Sequence, residues 1–430
     1  AVHPHPTLAA LIYAFYVDGT PVAGFPVQIA SVETRRAGQK SNPKFSEYWY
    51  SSPSLVKIDG KDVIVTPGPN LKALWDRALF VIRGDGSVQT LKVGDWKPDP
   101  DVPVTVASLQ KNGPIELLGG YAQVSKGVIS RSRMQWDLIS GFDVCIGDAS
   151  GDGELKFYQA APRPNDFKTG NSIVFGYDRF GHMLPGWPQP CGGQSGFSTV
   201  MGDLLGDGKM EIVLPDGQGR LLAWTADGQR FGSTYPEDPE KAKQHEAQRN
   251  HPMRAVPTRE LSTSILKEGL PFAGPVSLAD LDGNGRAEMV FYCRDHTLRA
   301  FHGDGSGFGN ADGIIATLPP QTAGYGVSIA SFEGNGTMDF FVGTCWVHRA
   351  ADGTVTMTDM LPGATSTRSQ PTITDIDSDG LADVLVGTDD GRVFIYHTGK
   401  PYRPELVQWA TVDGDLNHTA CWHPIRRKAN

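Results

Sequence analysis

Cysteine is scarce in this 430-residue chain. There are five (Cys145, Cys191, Cys293, Cys345 and Cys421), far apart and never in a C-x-x-C pair. That excludes zinc ribbons and a dense disulfide framework, and leaves one or two long-range disulfides open. No run reaches the ~18 consecutive apolar residues of a membrane span, so no membrane span is expected. There is no G-x-S-x-G elbow, no H-E-x-x-H and no P-loop, so hydrolysis by those devices has no motif behind it. Excess positive charge is missing too: the formal net charge is −9, which argues against a nucleic-acid partner. Helical periodicity is nearly absent. Short Val/Ile/Leu/Phe runs bounded by Gly, Asp and Asn take its place, and this is an all-β pattern. The opening AVHPHP carries no charged-then-apolar leader, which reads as cytosolic or as a signal peptide already removed.

What the chain has in quantity is turns, with 51 glycines and 31 prolines. It also has a repeated phrase. DLDGNGRAE (280–288) and DIDSDGLAD (375–383) both place side-chain oxygens at positions 1, 3, 5 and 9 and glycine at 6. Each phrase follows an apolar strand and leads into a second, after which a third strand and a D-G turn follow. The same unit recurs with fading loops, giving segments near 52–90, 103–137, 142–188, 197–228, 272–305, 325–358 and 370–400. A unit of three or four short strands cannot bury both faces alone, and stacking seven around an axis does so. The expected architecture is a single seven-bladed β-propeller over 1–430. The strand pair in 11–29 is expected to complete a blade whose inner strands come from the C-terminal part, and 229–270 to be an inserted loop on the functional face.

Alternating acidic residues in a tight loop suit calcium, which takes six to eight oxygens. Asp280, Asp282, Asn284 and Glu288 form one predicted Ca2+ site, and Asp375, Asp377, Asp379 and Asp383 the other. Other copies decay. In 203–211 position 3 is Leu205, and in 148–156 position 9 is Lys156, a cation where the last carboxylate should stand. The expected role of the metal is structural, pinning the first two strands of a blade.

The D-x-D-x-D/N-G-x-x-D/E loop between strands resembles the FG-GAP or VCBS-type repeat of integrin-like propellers, over roughly residues 50–430. The stretch VQWATVDGDLNHTACW (407–422) resembles a W-x-x-x-x-x-D-x-x-H-T signature that closes such propellers. The resemblance extends to secreted propeller polysaccharide lyases, including those that cleave ulvan and rhamnogalacturonan. It therefore implies an anionic polysaccharide or other glycan as partner, a secreted or periplasmic location, and a monomer.

Function is expected on the face opposite the acidic loops. Its longest segment, 237–260, holds Lys241, Lys243, His245, Arg249, His251, Arg254 and Arg259, the clearest basic concentration in the chain. It reads as an electropositive flap for an anionic ligand or as a solvated helix balanced by its own acids. Cys293, His296, Cys345 and His348 offer a Zn2+ donor set, or else are core cysteines and surface histidines. The favoured function is β-elimination on a uronic-acid polymer. Arg254 or Arg294 would neutralise the carboxylate, His251 or His348 would take the proton, and Tyr325 would protonate the leaving oxygen. The alternative is a non-catalytic carbohydrate-binding or adhesion propeller.

Overall fold

The computed structural model describes residues 7–33, 53–69, 77–92, 104–109, 113–118, 122–125, 128–131, 144–162, 172–191, 197–217, 219–229, 265–320, 322, 324–363, 367, 369–415 and 418–422. Among these the chain is all-β, in a succession of small antiparallel sheets. It falls into two compact units, 1–141 and 142–430. No helix among the described residues is long and apolar enough to cross a membrane.

The first unit opens with a two-stranded sheet, β1 (Thr7–Ile12) and β2 (Val27–Glu33). A four-stranded sheet follows, of β3 (Ser54–Ile58), β4 (Lys61–Pro69), β5 (Arg77–Arg83) and β6 (Val88–Lys92). The second four-stranded sheet is β7 (Thr105–Ala107), β8 (Ile115–Leu118), β9 (Ala122–Ser125) and β10 (Val128–Arg131). Each runs in chain order, as the short turns between strands dictate. The two four-stranded sheets share one apolar core that includes Val65, Leu79, Val104 and Leu117.

The second unit repeats this meander. Its sheets are β11 (Val144–Gly147), β12 (Lys156–Pro162), β13 (Ser172–Tyr177) and β14 (Gln189–Cys191); then β15 (Val200–Gly202), β16 (Glu211–Pro215), β17 (Leu221–Thr225) and β18 (Ile265–Lys267). Next come β19 (Ser277–Ala279), β20 (Glu288–Tyr292), β21 (Thr297–Phe301) and β22 (Ile314–Thr317), followed by β23 (Ser328–Ala330), β24 (Met338–Val342), β25 (Cys345–Arg349) and β26 (Val355–Asp359). Last are β27 (Thr372–Thr374), β28 (Leu381–Gly387) and β29 (Val393–Pro401). First and second strands such as β15, β16, β19, β20, β23 and β24 are buried along their whole length. Unbroken apolar runs such as EIVLP and EMVFY therefore have neighbours on both faces. By contrast β26 faces water along most of its length, and its sequence is VTMTD.

Two repeated devices join neighbouring sheets. A serine on the first strand donates its hydroxyl to a backbone carbonyl just before the next first strand: Ser54 to Val104, Ser277 to Val327 (2.6 Å) and Ser328 to Pro371. The G-F-P and G-W-P turns dock on D-G turns. Gly24 lies so close to Asp85, and Gly186 to Asp227, that a Cβ would stand 2.4 and 1.8 Å from the carbonyl oxygens. Both glycines also have positive φ, so no other residue fits.

Among the described residues, β1 and β2 pair with each other, and Val27 packs with Phe80 and Ile82 of β5. The C-terminal strand β30 (Val407–Trp409) instead adds to β23, making that sheet five-stranded. Beyond it the chain continues as a strap. Ala410 O accepts from Ile373 N (2.8 Å), Thr419 O from Ile146 N (2.8 Å), and Ala420 O from Met201 N (2.9 Å). Trp422 N then donates to Met201 O (2.8 Å), and its indole N–H donates to Gln408 (2.9 Å). Together with β30, the strap thus touches the first strands of four sheets of its unit. Asp413, His418 and Ala420 take left-handed φ values of 54°, 54° and 49° to do so. The segment 229–270 is corrected: β18 lies inside it and closes the sheet of β17. A three-residue strand carries no periodicity to announce itself.

Candidate functional site

Each acidic loop links the first two strands of a sheet, and its first aspartate organises it. In 280–288, Asp280 accepts from the amides of Gly283 (2.7 Å), Asn284 (3.0 Å) and Gly285 (3.0 Å). Asp375 accepts from Asp379 N (3.1 Å) and Gly380 N (3.0 Å) in the same way. The carboxylate at position 9 stands near the start of the second strand and is buried, with Glu288 and Asp383 each about 1% exposed. It closes the loop by accepting from the residue after the first aspartate: Leu281 N to Glu288 (2.7 Å) and Ile376 N to Asp383 (3.0 Å).

Carboxylates then converge. Ligand atoms of Asp282, Glu288 and His302 lie within 4.8 Å of one another, and so do those of Asp375, Asp377 and Asp383. Burial, with Asp282 and Asp280 adding like charge, pushes the Glu288 carboxyl up to about 8. A cation at this point would offset both effects. The set at 375–383 is all oxygen and suits a hard cation such as calcium. Of the eight predicted ligands, Asp282, Glu288, Asp375, Asp377 and Asp383 converge. Asp280 is turned to the backbone amides, and Asn284 and Asp379 accept from Arg286 N and Leu381 N (both 2.7 Å).

A histidine across from position 9 is a feature the sequence reading missed. His302 Nδ1 lies 3.1 Å from Glu288, His348 Nδ1 2.9 Å from Asp339, and His397 Nδ1 2.7 Å from Asp383. Asp339 and Asp383 are the cross-strand partners of His348 and His397. The signal was a histidine at the same place on the third strand of three units.

The decayed loops keep the frame and change the charge. In 148–156, Asp148 still holds Asp152 N (3.0 Å) and Gly153 N (2.8 Å). Lys156 Nζ, though, reaches both oxygens of Asp152 (2.9 and 2.8 Å) and the carbonyl of Glu154 (3.3 Å). An ammonium supplies the positive charge there. In 331–339, Lys400 Nζ takes Glu333 (2.8 Å), and Ser331 Oγ donates to Thr337 O (2.8 Å). In 203–211, Glu211 accepts from Leu204 N (2.9 Å), and burial pushes its carboxyl up to about 7.

The opposite end of the β19–β22 sheet holds a different set. The turn between β20 and β21 carries exposed Arg294, whose amide donates to Pro271 O (2.7 Å), and His296 in left-handed conformation (φ 64°). His296 Nδ1 lies 3.0 Å from the Tyr292 hydroxyl, which donates to Thr322 O (2.7 Å). Burial pushes the Tyr292 phenol up to about 12. Tyr325, 38% exposed, precedes β23 at the same end, its carbonyl against Gly274.

Of the predicted catalytic residues, Arg294 and Tyr325 are thus brought to one end. His348 is not. Its pairing with Asp339 puts it at the acidic-loop end of β25, because a five-residue strand spans the sheet from Cys345 at one edge to Arg349 at the other. The zinc set fails to converge for the same reason, since His348 is separated from Cys293, His296 and Cys345. His251 and Arg254 lie outside the described residues, as does the rest of 237–260. All five cysteines are buried.

No protein-family model matches the chain, and no curated protein does. Among solved structures it is similar to the biofilm matrix protein Bap1 of V. cholerae, at 13% identity over 88% of this chain and 94% of that one, with a TM-score of 0.41. It is similar to BBS1N from a complex with ARL6DN, at 11% identity over 82% and 92%, with a TM-score of 0.41. Quinohemoprotein alcohol dehydrogenase from Comamonas testosteroni matches at 9% identity over 88% and 63%, with a TM-score of 0.36. Every one of these TM-scores is below 0.5, and neither activity nor partner is inferred from them.

Proposed function

We propose that this chain is a secreted, calcium-stapled β-propeller of FG-GAP/VCBS type that recognises an anionic glycan at the end of its sheets opposite the acidic loops. The seven-fold recurrence of the meander supports the blade count. The converging carboxylates of 280–288 and 375–383 support calcium as the structural ion, bound through Asp282 and Glu288 and through Asp375, Asp377 and Asp383. The observation that carries the recognition reading is the turn 292–296. It places exposed Arg294 beside the hydrogen-bonded Tyr292–His296 pair, with exposed Tyr325 at the same end. A guanidinium pairs with a carboxylate through two parallel hydrogen bonds, and a phenol ring stacks on a sugar face.

A second reading rests on the same residues. His296 stands with Arg294 and Tyr325, so the chemistry of β-elimination is available with His296 in the role first given to His348. Arg294 would neutralise the uronate carboxylate. His296 would take the proton from the adjacent carbon as the carbon–carbon double bond forms. Tyr325 would give its proton to the departing glycosidic oxygen.

One experiment separates the readings. The protein is incubated with a panel of uronate-containing polysaccharides, with ultraviolet absorbance and retention on the immobilised polymers both followed. Retention that falls at least tenfold in Arg294→Ala, with no absorbance rise, supports recognition. A rise abolished in His296→Ala moves the function to lyase. Wild-type protein that shows neither retention nor a rise on any polymer overturns both.

A further inference from the structure

The strap of residues 407–422 brings sulfur to sulfur. Met201 and Cys421 form a parallel bridge, so their side chains leave the pairing on the same side. That side faces β11, held there by the Ile146 N–Thr419 O bond (2.8 Å). Met210 joins from the start of the β16 strand, where its amide donates to Ala149 O (2.9 Å). Cys421 Sγ then lies 3.5 Å from Met210 Sδ. The residue of β11 under them is Gly147, and its missing side chain makes the room. A Cβ there would stand 2.5 Å from Cys421 Sγ and 2.8 Å from Met201 Sδ. Two methionines flanking one loop and a cysteine of the strap thus meet beside one glycine, fixed by backbone hydrogen bonds.

The chemistry of this set is soft. One thiol and two thioethers suit Cu(I), and the two thioethers favour it over zinc, which takes thiolate, imidazole and carboxylate. All three residues are buried, with Met201 0%, Cys421 6% and Met210 8% exposed. Leu204, Ala149 and Trp422 belong to the same buried core, and the carboxylates of Asp415 and Asp148 are near enough to act on Cys421. A monovalent ion bound by one thiolate is electrically neutral, so it fits a site that would reject a divalent one. Burial, with Cys145 close by, holds the Cys421 thiol protonated well above its ordinary range, so the metal must displace that proton.

We propose that Cys421, Met201 and Met210 form a site for a soft monovalent cation, with Cu(I) as the physiological candidate and Ag(I) as its redox-inert surrogate. Binding forms one metal–thiolate bond and two metal–thioether bonds. It breaks the S–H bond of Cys421 and releases one proton to solvent, with no change of oxidation state. The site lies within the fold and is separate from the acidic loops, which offer hard oxygen donors.

The test uses the full chain, calcium-saturated and kept anaerobic. Cu(I) is added in the presence of a chromophoric Cu(I) chelator, and the copper retained by the protein is read from the chelator's loss of colour. Ag(I) is followed in parallel by the thermal midpoint. The expected result is one equivalent of Cu(I) per chain, with retention weakened at least tenfold in Met201→Leu/Met210→Leu and in Cys421→Ser. Leucine keeps the volume of methionine, so the double variant should fold even where Cys421→Ser does not. Its circular dichroism and metal-free midpoint check this. Folded wild-type protein that retains no copper overturns the site. So does a folded double variant that retains copper as tightly as wild type.

Discussion

The loops at 280–288 and 148–156 have nearly the same backbone frame and opposite answers to one electrostatic problem. In both, the first aspartate gathers amides across the turn. In both, the second strand opens at position 9. In the first loop that residue is Glu288, which shares a small space with Asp282 and His302. In the second it is Lys156, whose side chain is only 12% exposed and whose ammonium sits on Asp152. The frame therefore comes from hydrogen bonds within the turn, and the residue at position 9 decides where the positive charge comes from. One loop offers its carboxylates to a cation, and the other carries its own ammonium.

The largest test of this contrast is metal removal. Calcium at a hundredfold excess over Kd would stabilise the fold by about 2.7 kcal/mol per site. The thermal midpoint should fall by several degrees in chelator, and Asp282→Ala with Asp377→Ala should abolish the difference. A midpoint that chelator leaves in place, with no calcium retained by the protein, would break the comparison. Next in size is a pH effect at Glu211. Its folded carboxyl is pushed up from 4.5 to about 7, so the folded state binds more protons than the unfolded one between those values. Stability should therefore fall as pH rises from 4.5 to 7, by a few degrees of midpoint, and Glu211→Gln should flatten that slope. Calorimetry across the range checks the sign, and a rise in stability would contradict it.

Lys156 offers a sharper version. Lys156→Met should cost about 1 kcal/mol through the lost hydrogen bonds to Asp152. Lys156→Asp should recreate the acidic pattern and add one calcium per chain in a calorimetric titration. No added calcium would mean that the frame of this loop differs in more than its last residue. The smallest effect belongs to the histidines. His397→Gln, read by chemical denaturation, should shift stability by no more than about 0.5 kcal/mol, since one hydrogen bond is at stake and glutamine can remake it. A larger loss would promote His397 from a support of Asp383 to an essential part of the loop.

Much of the fold was legible because its signals are local. The acidic loops mark the passage from first to second strand, and the apolar runs beside them are the strands that became buried on both faces. The expected segments begin within a few residues of β3, β7, β11, β15, β19, β23 and β27. What failed was non-local or too short to pattern. β18 has three residues and lies after a long segment. The partner of β30 is nearly eighty residues earlier in the chain, and no periodicity in VQW names it. In the site, the loop carboxylates could be read from spacing. Asp280 could not be told from Asp282, because which one faces the backbone depends on turn geometry. His348 was misplaced because it was assigned to the same face as Cys345, whereas C-W-V-H-R forms a strand that crosses from one end of the sheet to the other.

The strap at 407–422 sets an order of events in time. Its hydrogen bonds reach β11, β15, β23 and β27, so the second unit is not complete until Trp422 has left the ribosome. At 5–20 residues per second, synthesis of this unit takes roughly tens of seconds. During that interval Met201, Ile146 and Ile373 keep backbone amides open to pairing with other chains. A partly made chain is therefore the form most exposed to misassembly, and folding helpers would have most to do before the strap arrives.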